Sequence, residues 1–215
     1  ISLPGTGETP VAPVYVDGID IVPQVHAELN RALDFAECLQ NGTHTGCTGL
    51  PIRDVVNIGI GGSDLGPRMV AQALAPYRQN LNMHFAANLD SADLDGILRR
   101  VQPETTLFIV ASKSFRTPET LLNAQAARRW FLQSGRSEAD IAQHFAAVSA
   151  NVEAAAEFGI APQNVFGMFD WVGGRYSVWS AIGLPVMCAV GREHFREFLR
   201  CGRDMDEHFL HAPWR

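Results

Sequence analysis

Four hydroxyls and one ammonium are gathered in a single short stretch: Ser112, Lys113, Ser114, Thr117 and Thr120. They follow a run of strand type, Thr105-Thr106-Leu107-Phe108-Ile109-Val110, and precede a helical run that opens Leu121-Leu122-Asn123-Ala124. Thr117 is a favoured N-cap type, and Pro118 suits the first helical position, where its missing N–H costs nothing. Such a turn aims hydroxyls, a cation and the open N–H groups of a helix N-terminus at one anion. A phosphate monoester needs that set of donors. An ordinary polar loop with an exposed lysine has the same composition, and this stretch alone does not choose between them.

A second turn of the same kind tips the balance. Asp54-Val55-Val56-Asn57-Ile58-Gly59-Ile60 reads as a buried strand, followed by Gly61-Gly62-Ser63-Asp64-Leu65-Gly66 and a helix expected from Pro67 to Leu74. The glycines admit close backbone approach, and Ser63 or Asp64 is a suitable cap. The pattern is neither the dinucleotide fingerprint Gly-x-Gly-x-x-Gly nor a P-loop. Two strand–turn–helix units in one open sheet place both turns at the carboxyl ends of strands, where such sheets bind ligands.

The third feature is Phe169-Asp170-Trp171-Val172-Gly173-Gly174-Arg175-Tyr176-Ser177. A guanidinium held on a glycine turn points into a site and stays charged. Periodicity alone favours a plainer arrangement, with Arg175 paired to Asp170 and Trp171 and Trp179 packing. Ser177 or Ser180 is the expected cap of the helix that follows.

The elements that carry these turns set the fold class. Strands are expected near Val55–Ile60, Asn82–Ala87 and Thr105–Ala111, and helices near Pro67–Leu74, Asp93–Arg100 and Pro118–Ser134. Their alternation predicts an α/β fold, a parallel sheet with flanking helices. An arm over residues 1–20 and a helix over Val22–Gln40 come before it. After Ser134 the pattern reads as mostly helical, over Glu138–Phe145, Ser149–Phe158, Ser177–Val190 and His194–His211. The organisation expected is an arm and helix over 1–50, the α/β domain over 51–176, and a helical segment over 177–215.

Composition narrows the function classes. The chain has 215 residues, 47% of them hydrophobic, and a net charge of −6. Arg99-Arg100 and Arg128-Arg129 are isolated pairs, so nucleic acid is not an expected partner. No apolar run approaches a membrane span, so no membrane is expected either. Cys38, Cys47, Cys188 and Cys201 are scattered, as reduced and mostly structural thiols of a cytoplasmic protein.

The three segments together resemble the signature regions of the phosphoglucose isomerase family. Asn-Ile-Gly-Ile-Gly-Gly-Ser-Asp-Leu-Gly-Pro stands at 57–67. The family's Ser-Lys-Thr-Phe-Thr-Thr-x-Glu-Thr loop is matched at 112–120, and its Asp-Trp-Val-Gly-Gly-Arg-Tyr/Phe-Ser run at 170–177. Order and spacing agree, and the flanking Val16-Asp17-Gly18 and Glu157-Phe158-Gly159-Ile160 extend the resemblance over 14–211. Ser114 and Arg116 stand where the family usually has Thr, and Phe169 where Trp is common.

The resemblance implies a flavodoxin-like domain of the sugar-isomerase (SIS) type and interconversion of glucose 6-phosphate and fructose 6-phosphate through a cis-enediol, in glycolysis and gluconeogenesis. Hexose 6-phosphate is the implied substrate, and neither metal nor organic cofactor is needed. Ser112, Ser114 and Thr117 resemble the phosphate cradle, with backbone N–H groups of 113–117 that include Phe115 and Arg116, and with Lys113 adding charge. Gly62 and Ser63 resemble the opposite wall of the substrate site. Arg175 resembles the arginine that stabilises the developing enediolate. Glu119 is read as a first-turn helix carboxylate, and His208 and His211 as solvated histidines.

The family's catalytic glutamate, ring-opening histidine and a further lysine belong to motifs that do not occur here. The chain is therefore expected to be the N-terminal part of the enzyme, its start trimmed, inactive in isolation, from a parent that is a cytoplasmic homodimer. Two other classes fit part of the pattern. A non-enzymatic sugar-phosphate-binding SIS module needs the cradle but not the Gly-Gly-Arg run. A nucleotide-binding α/β protein would carry an acid near Ala86-Ala87-Asn88, where Asp90 comes slightly late.

Overall fold

The computed structural model describes residues 12–213; the remainder of the expected N-terminal arm, residues 1–11, lies outside the described residues. Tyr15–Val16 (β1) and Ile19–Asp20 (β2) form a small antiparallel ribbon. Helix α1 spans Val22–Gln40 as its periodicity predicts, burying Ala32, Leu33, Ala36 and Leu39 along one stripe.

Strand β3 (Asp54–Ile58) leads through helix α2 (Gly62–Ala73) to β4 (Asn82–Ala86), and α3 (Ser91–Leu98) leads to β5 (Thr106–Ala111). Helix α4 (Pro118–Gln133) is followed by the single turn α5 (Ile141–His144), β6 (Phe145–Ser149), α6 (Val152–Glu157) and β7 (Val165–Gly167). Helix α7 (Leu184–His211) closes the described chain and is broken at Gly191, whose backbone is non-helical.

The five longer strands form one parallel sheet in the order β4-β3-β5-β6-β7. The chain moves to one side of β3 for β4, then crosses back to the other side for β5. This is the flavodoxin-like order, and its switch point lies between the carboxyl ends of β3 and β5. The period of two divides the sheet residues between two cores. Val55, Leu107, Ile109, Ala146, Val148 and Phe166 face the layer of α1 and α7. Val56, Ile58, Phe108, Val110, Phe145 and Ala147 face that of α3 and α4. Both faces are thus covered, as an all-parallel sheet requires.

Several boundaries differ from the sequence reading. The region after Ser134 is largely helical, as expected, but it also carries two strands of the sheet. Phe145–Ser149, expected to lie in or between helices, is a fully buried strand, and Val165–Gly167 adds another. Helix α2 begins at Gly62, five residues before Pro67, so Ser63 and Asp64 lie in its first turn instead of capping it. Buried Asp64 is paired with Arg68 one turn on.

The loop before β3 is fixed from below by His144. Its ring is wholly buried, with Nδ1 2.7 Å from the Thr106 carbonyl oxygen and Nε2 2.9 Å from the Cys47 nitrogen. A backbone N–H can only donate, so Nε2 accepts and Nδ1–H donates to Thr106. The ring is neutral in this arrangement, and burial pushes its pKa below the ordinary value. All four cysteines are free thiols. Only Cys188 is buried, and burial pushes its thiol up to about 12.

Candidate functional site

The turn from β5 into α4 is held from within. Ser112 is buried, and its N–H donates to the Val148 carbonyl of β6 at 3.0 Å. Ser112 Oγ lies 3.1 Å from Thr117 Oγ1. Thr117 occupies the N-cap position with Pro118 next, as expected, but it makes no side-chain cap bond, its hydroxyl being turned to Ser112 instead. Phe115 has φ of +52°, rare for a residue with a side chain, and its buried ring packs edge-on against Phe158. That anchor turns the loop back on itself. The N–H of Phe115 bonds Ser112, and that of Arg116 bonds Ser114 Oγ. The N–H groups of Lys113, Ser114 and Thr117 have no acceptor among the described residues. Of the N–H groups at 113–117, these three remain open beside the N-terminus of a 16-residue helix.

Phe115 contributes its backbone only, because its side chain belongs to the core. Glu119 lies in the first turn of α4. Lys113 is not free in this turn. Its Nζ donates to the carbonyls of Asp170 at 2.7 Å and Val172 at 3.3 Å, fastening this loop to the Gly-Gly-Arg segment.

The turn after β3 meets the same segment from the other side. A Cβ added to Gly62 would lie 2.4 Å from the Gly174 carbonyl oxygen, so the two glycine turns touch backbone to backbone. Gly174 itself has φ of +63°, which glycine adopts without strain. Ser177 Oγ donates to the Gly174 carbonyl at 2.6 Å and approaches the Gly62 carbonyl at 3.4 Å. Ser180 caps the short turn Ala181–Gly183, as the sequence allowed.

Arg175 is exposed at the start of the 3-10 turn Arg175–Trp179. Its guanidinium stacks over the neighbouring Tyr176 ring, 4.8 Å from the centroid, and Nη2 donates to the Tyr176 hydroxyl at 3.3 Å. The plainer expectation of an Arg175–Asp170 pair is not met among the described residues.

An open cleft of about 940 Å³ lies over the carboxyl ends of β5 and β6. Lys113, Ser114, Arg116 and Thr117 line one wall, and the segment 150–153 with Asp170 lines the rest. Gly62, Ser63, Ser112 and Arg175 are not among its lining residues. Sequence reasoning missed Asn151 and Glu153. Asn151 Nδ2 donates to the Ser114 carbonyl at 3.2 Å, while its Oδ1 caps α6. The available signal is an Asn followed by a short Ala-rich helix, but the local pattern over Ser149–Phe158 reads as one helix, which conceals a third strand-to-helix turn. Among the described residues no group of three or more His, Cys, Asp or Glu side chains is arranged to hold a metal ion. No helix of the described chain is long and apolar enough to cross a membrane.

Comparison with known proteins adds an independent line. The family described as "Phosphoglucose isomerase" matches residues 7–215. A protein of Neisseria meningitidis serogroup B named "Glucose-6-phosphate isomerase 2" is 60% identical over 202 residues. The match takes in 94% of this chain and 37% of that protein. A "Glucose-6-phosphate isomerase" of Laribacter hongkongensis is 58% identical over 92% of this chain and 36% of its own length. Among solved structures, a glucose-6-phosphate isomerase from Chlamydia trachomatis superposes with a TM-score of 0.77 at 27% identity, covering 94% of this chain and 37% of that one. The chain thus spans a little over a third of the length of these relatives.

Proposed function

The chain belongs to the phosphoglucose isomerase family, and on that premise we propose that it carries the phosphate-binding part of an aldose–ketose isomerase site for hexose 6-phosphates. The observation that carries this reading is the convergence of three turns at one switch point. The β5–α4 turn, with its paired Ser112 and Thr117 hydroxyls and its open N–H groups, adjoins a segment that Lys113 holds on one side and Gly62 on the other.

Ser112, Ser114 and Thr117 hold the phosphate with the N–H groups of Lys113, Ser114 and Thr117. The helix α4 N-terminus stabilises the dianion. The sugar then extends over Gly62 and Ser63. Conversion of glucose 6-phosphate to fructose 6-phosphate moves a proton from C2 to C1 through a cis-enediolate, whose negative charge needs a fixed cation. Arg175 supplies it by turning from the Tyr176 ring, a contact of modest strength at an exposed position. The carboxylate that moves the proton and the histidine that opens the ring have no counterpart among the motifs of this chain. The isolated chain is accordingly a binding half. The wider assignments proposed with it are a sugar-phosphate domain over 51–176 and a full-length enzyme that is a cytoplasmic homodimer.

Two experiments test this. Amide shifts of 113–117 should move on addition of glucose 6-phosphate and not of glucose; unmoved amides contradict the reading. A coupled assay from fructose 6-phosphate should show no turnover by the chain beside an active full-length relative. Clear turnover would return proton transfer to this chain's own groups, Glu119 or one of the histidines.

A further inference from the structure

We propose that Arg116 sets the affinity of the cleft for the phosphate dianion, while Lys113 serves as the tie that holds the cleft together. The proposal rests on the sugar-phosphate reading of the cleft. It assigns the roles of the two cations differently from what the loop's composition suggests.

The first observation is the occupation of Lys113. Two of its three ammonium protons are directed at the carbonyls of Asp170 and Val172. The guanidinium of Arg116, in contrast, has no hydrogen-bond, ion-pair or ring partner among the described residues, although it lines the same cleft. Only its backbone is fixed, by the N–H bond to Ser114 Oγ at 3.2 Å and by the turn at Phe115.

The second observation is charge balance. Four charged side chains line the cleft: Lys113 and Arg116 against Glu153 and Asp170. The lining is neutral with Arg116. Without it, two carboxylates face one ammonium that is already hydrogen-bonded to carbonyl oxygens. A dianion would then enter a field of the wrong sign, with only hydroxyls and N–H groups to offset it. Arg116 also offers a planar fork of donors that matches two phosphate oxygens at once, which a lysine cannot do. Because the side chain is exposed, ordering it on binding has an entropic cost that limits the gain.

The test is calorimetric titration of the chain with glucose 6-phosphate at low and at high salt. The wild type is compared with Arg116→Gln and with Arg99→Gln, a remote exposed cation that controls for overall charge. Arg116→Gln is expected to weaken binding roughly tenfold at low salt and to reduce its salt dependence. Arg99→Gln should behave as wild type. Equal affinity and equal salt dependence for Arg116→Gln would overturn the assignment and leave the sugar-phosphate reading standing. Equal weakening by Arg99→Gln would overturn it also. Absence of saturable binding to the wild-type chain would remove the reading itself, and the role of Arg116 with it.

Discussion

Asn57 Nδ2 donates to the carbonyl oxygen of Ser63 at 3.0 Å, and Ser63 stands four residues before Pro67. In an unbroken helix that carbonyl would accept the N–H of residue 67, which proline lacks. A side chain from near the carboxyl end of β3 thus replaces the hydrogen bond that Pro67 cannot give, and α2 runs back to Gly62. The same bond pins Ser63 at the end of the strand, directly beneath the switch point.

Replacing Asn57 with Ala should expose the importance of that bond. The Ser63 carbonyl would lose its donor, and a wholly buried side chain would be truncated. A loss of stability of about 1–3 kcal/mol is expected, read by urea unfolding, with faster amide exchange at Leu65, Gly66 and Arg68. Stability equal to wild type would show that the start of α2 does not depend on this bond.

Lys113→Met keeps the aliphatic stem and removes the donors to Asp170 and Val172. The segment 169–174 is otherwise held by few bonds, among them Val172 N–H to the Phe169 carbonyl. Amide exchange at Val172 should quicken, while global stability falls by about 1 kcal/mol, since the ammonium is only half-buried. Unchanged exchange there would remove Lys113 from its role as the tie.

Stability should depend on pH through His144. Burial lowers its folded pKa below the ordinary 6.5, so protons bind the unfolded chain more readily. Its contribution is complete above the unfolded pKa and is lost as pH falls from there toward the folded pKa. Within that window the unfolding free energy should fall by up to about 1.4 kcal/mol per pH unit. The carboxylates of Glu104 and Asp140 are held below their ordinary values, so their own losses begin at lower pH. Urea unfolding between about pH 5 and 7 reads the effect, and His144→Gln should flatten it. A flat wild-type profile would contradict the neutral, doubly bonded ring.

Much of the fold was legible because its signals are strong and local. The runs at 54–60 and 105–111 are apolar on both faces, and Thr117-Pro118 marks a helix start unambiguously. The strand Phe145–Ser149 was hidden by its two alanines and by helical neighbours on both sides. Its strand character comes from pairing with β5, a tertiary effect with little local trace. Val165–Gly167 is three residues long and pairs only along the sheet edge. In the candidate site, the residue types of the β5–α4 turn were readable, but their engagements were not. That Lys113 faces two carbonyls and Thr117 faces Ser112 depends on a loop turned by Phe115 at a positive φ. A phenylalanine gives no sign of such a turn, because its cause is the burial of the ring.

On the proposed reading, the phosphate of a hexose 6-phosphate sits on the β5–α4 turn. Titration of the chain with glucose 6-phosphate, beside a Ser112→Ala/Thr117→Ala variant, tests it most directly. One saturable site is expected in the wild type, with binding weakened about tenfold or more in the variant, which loses both hydroxyls. No saturable binding to the wild type, or equal binding by the two chains, would contradict it.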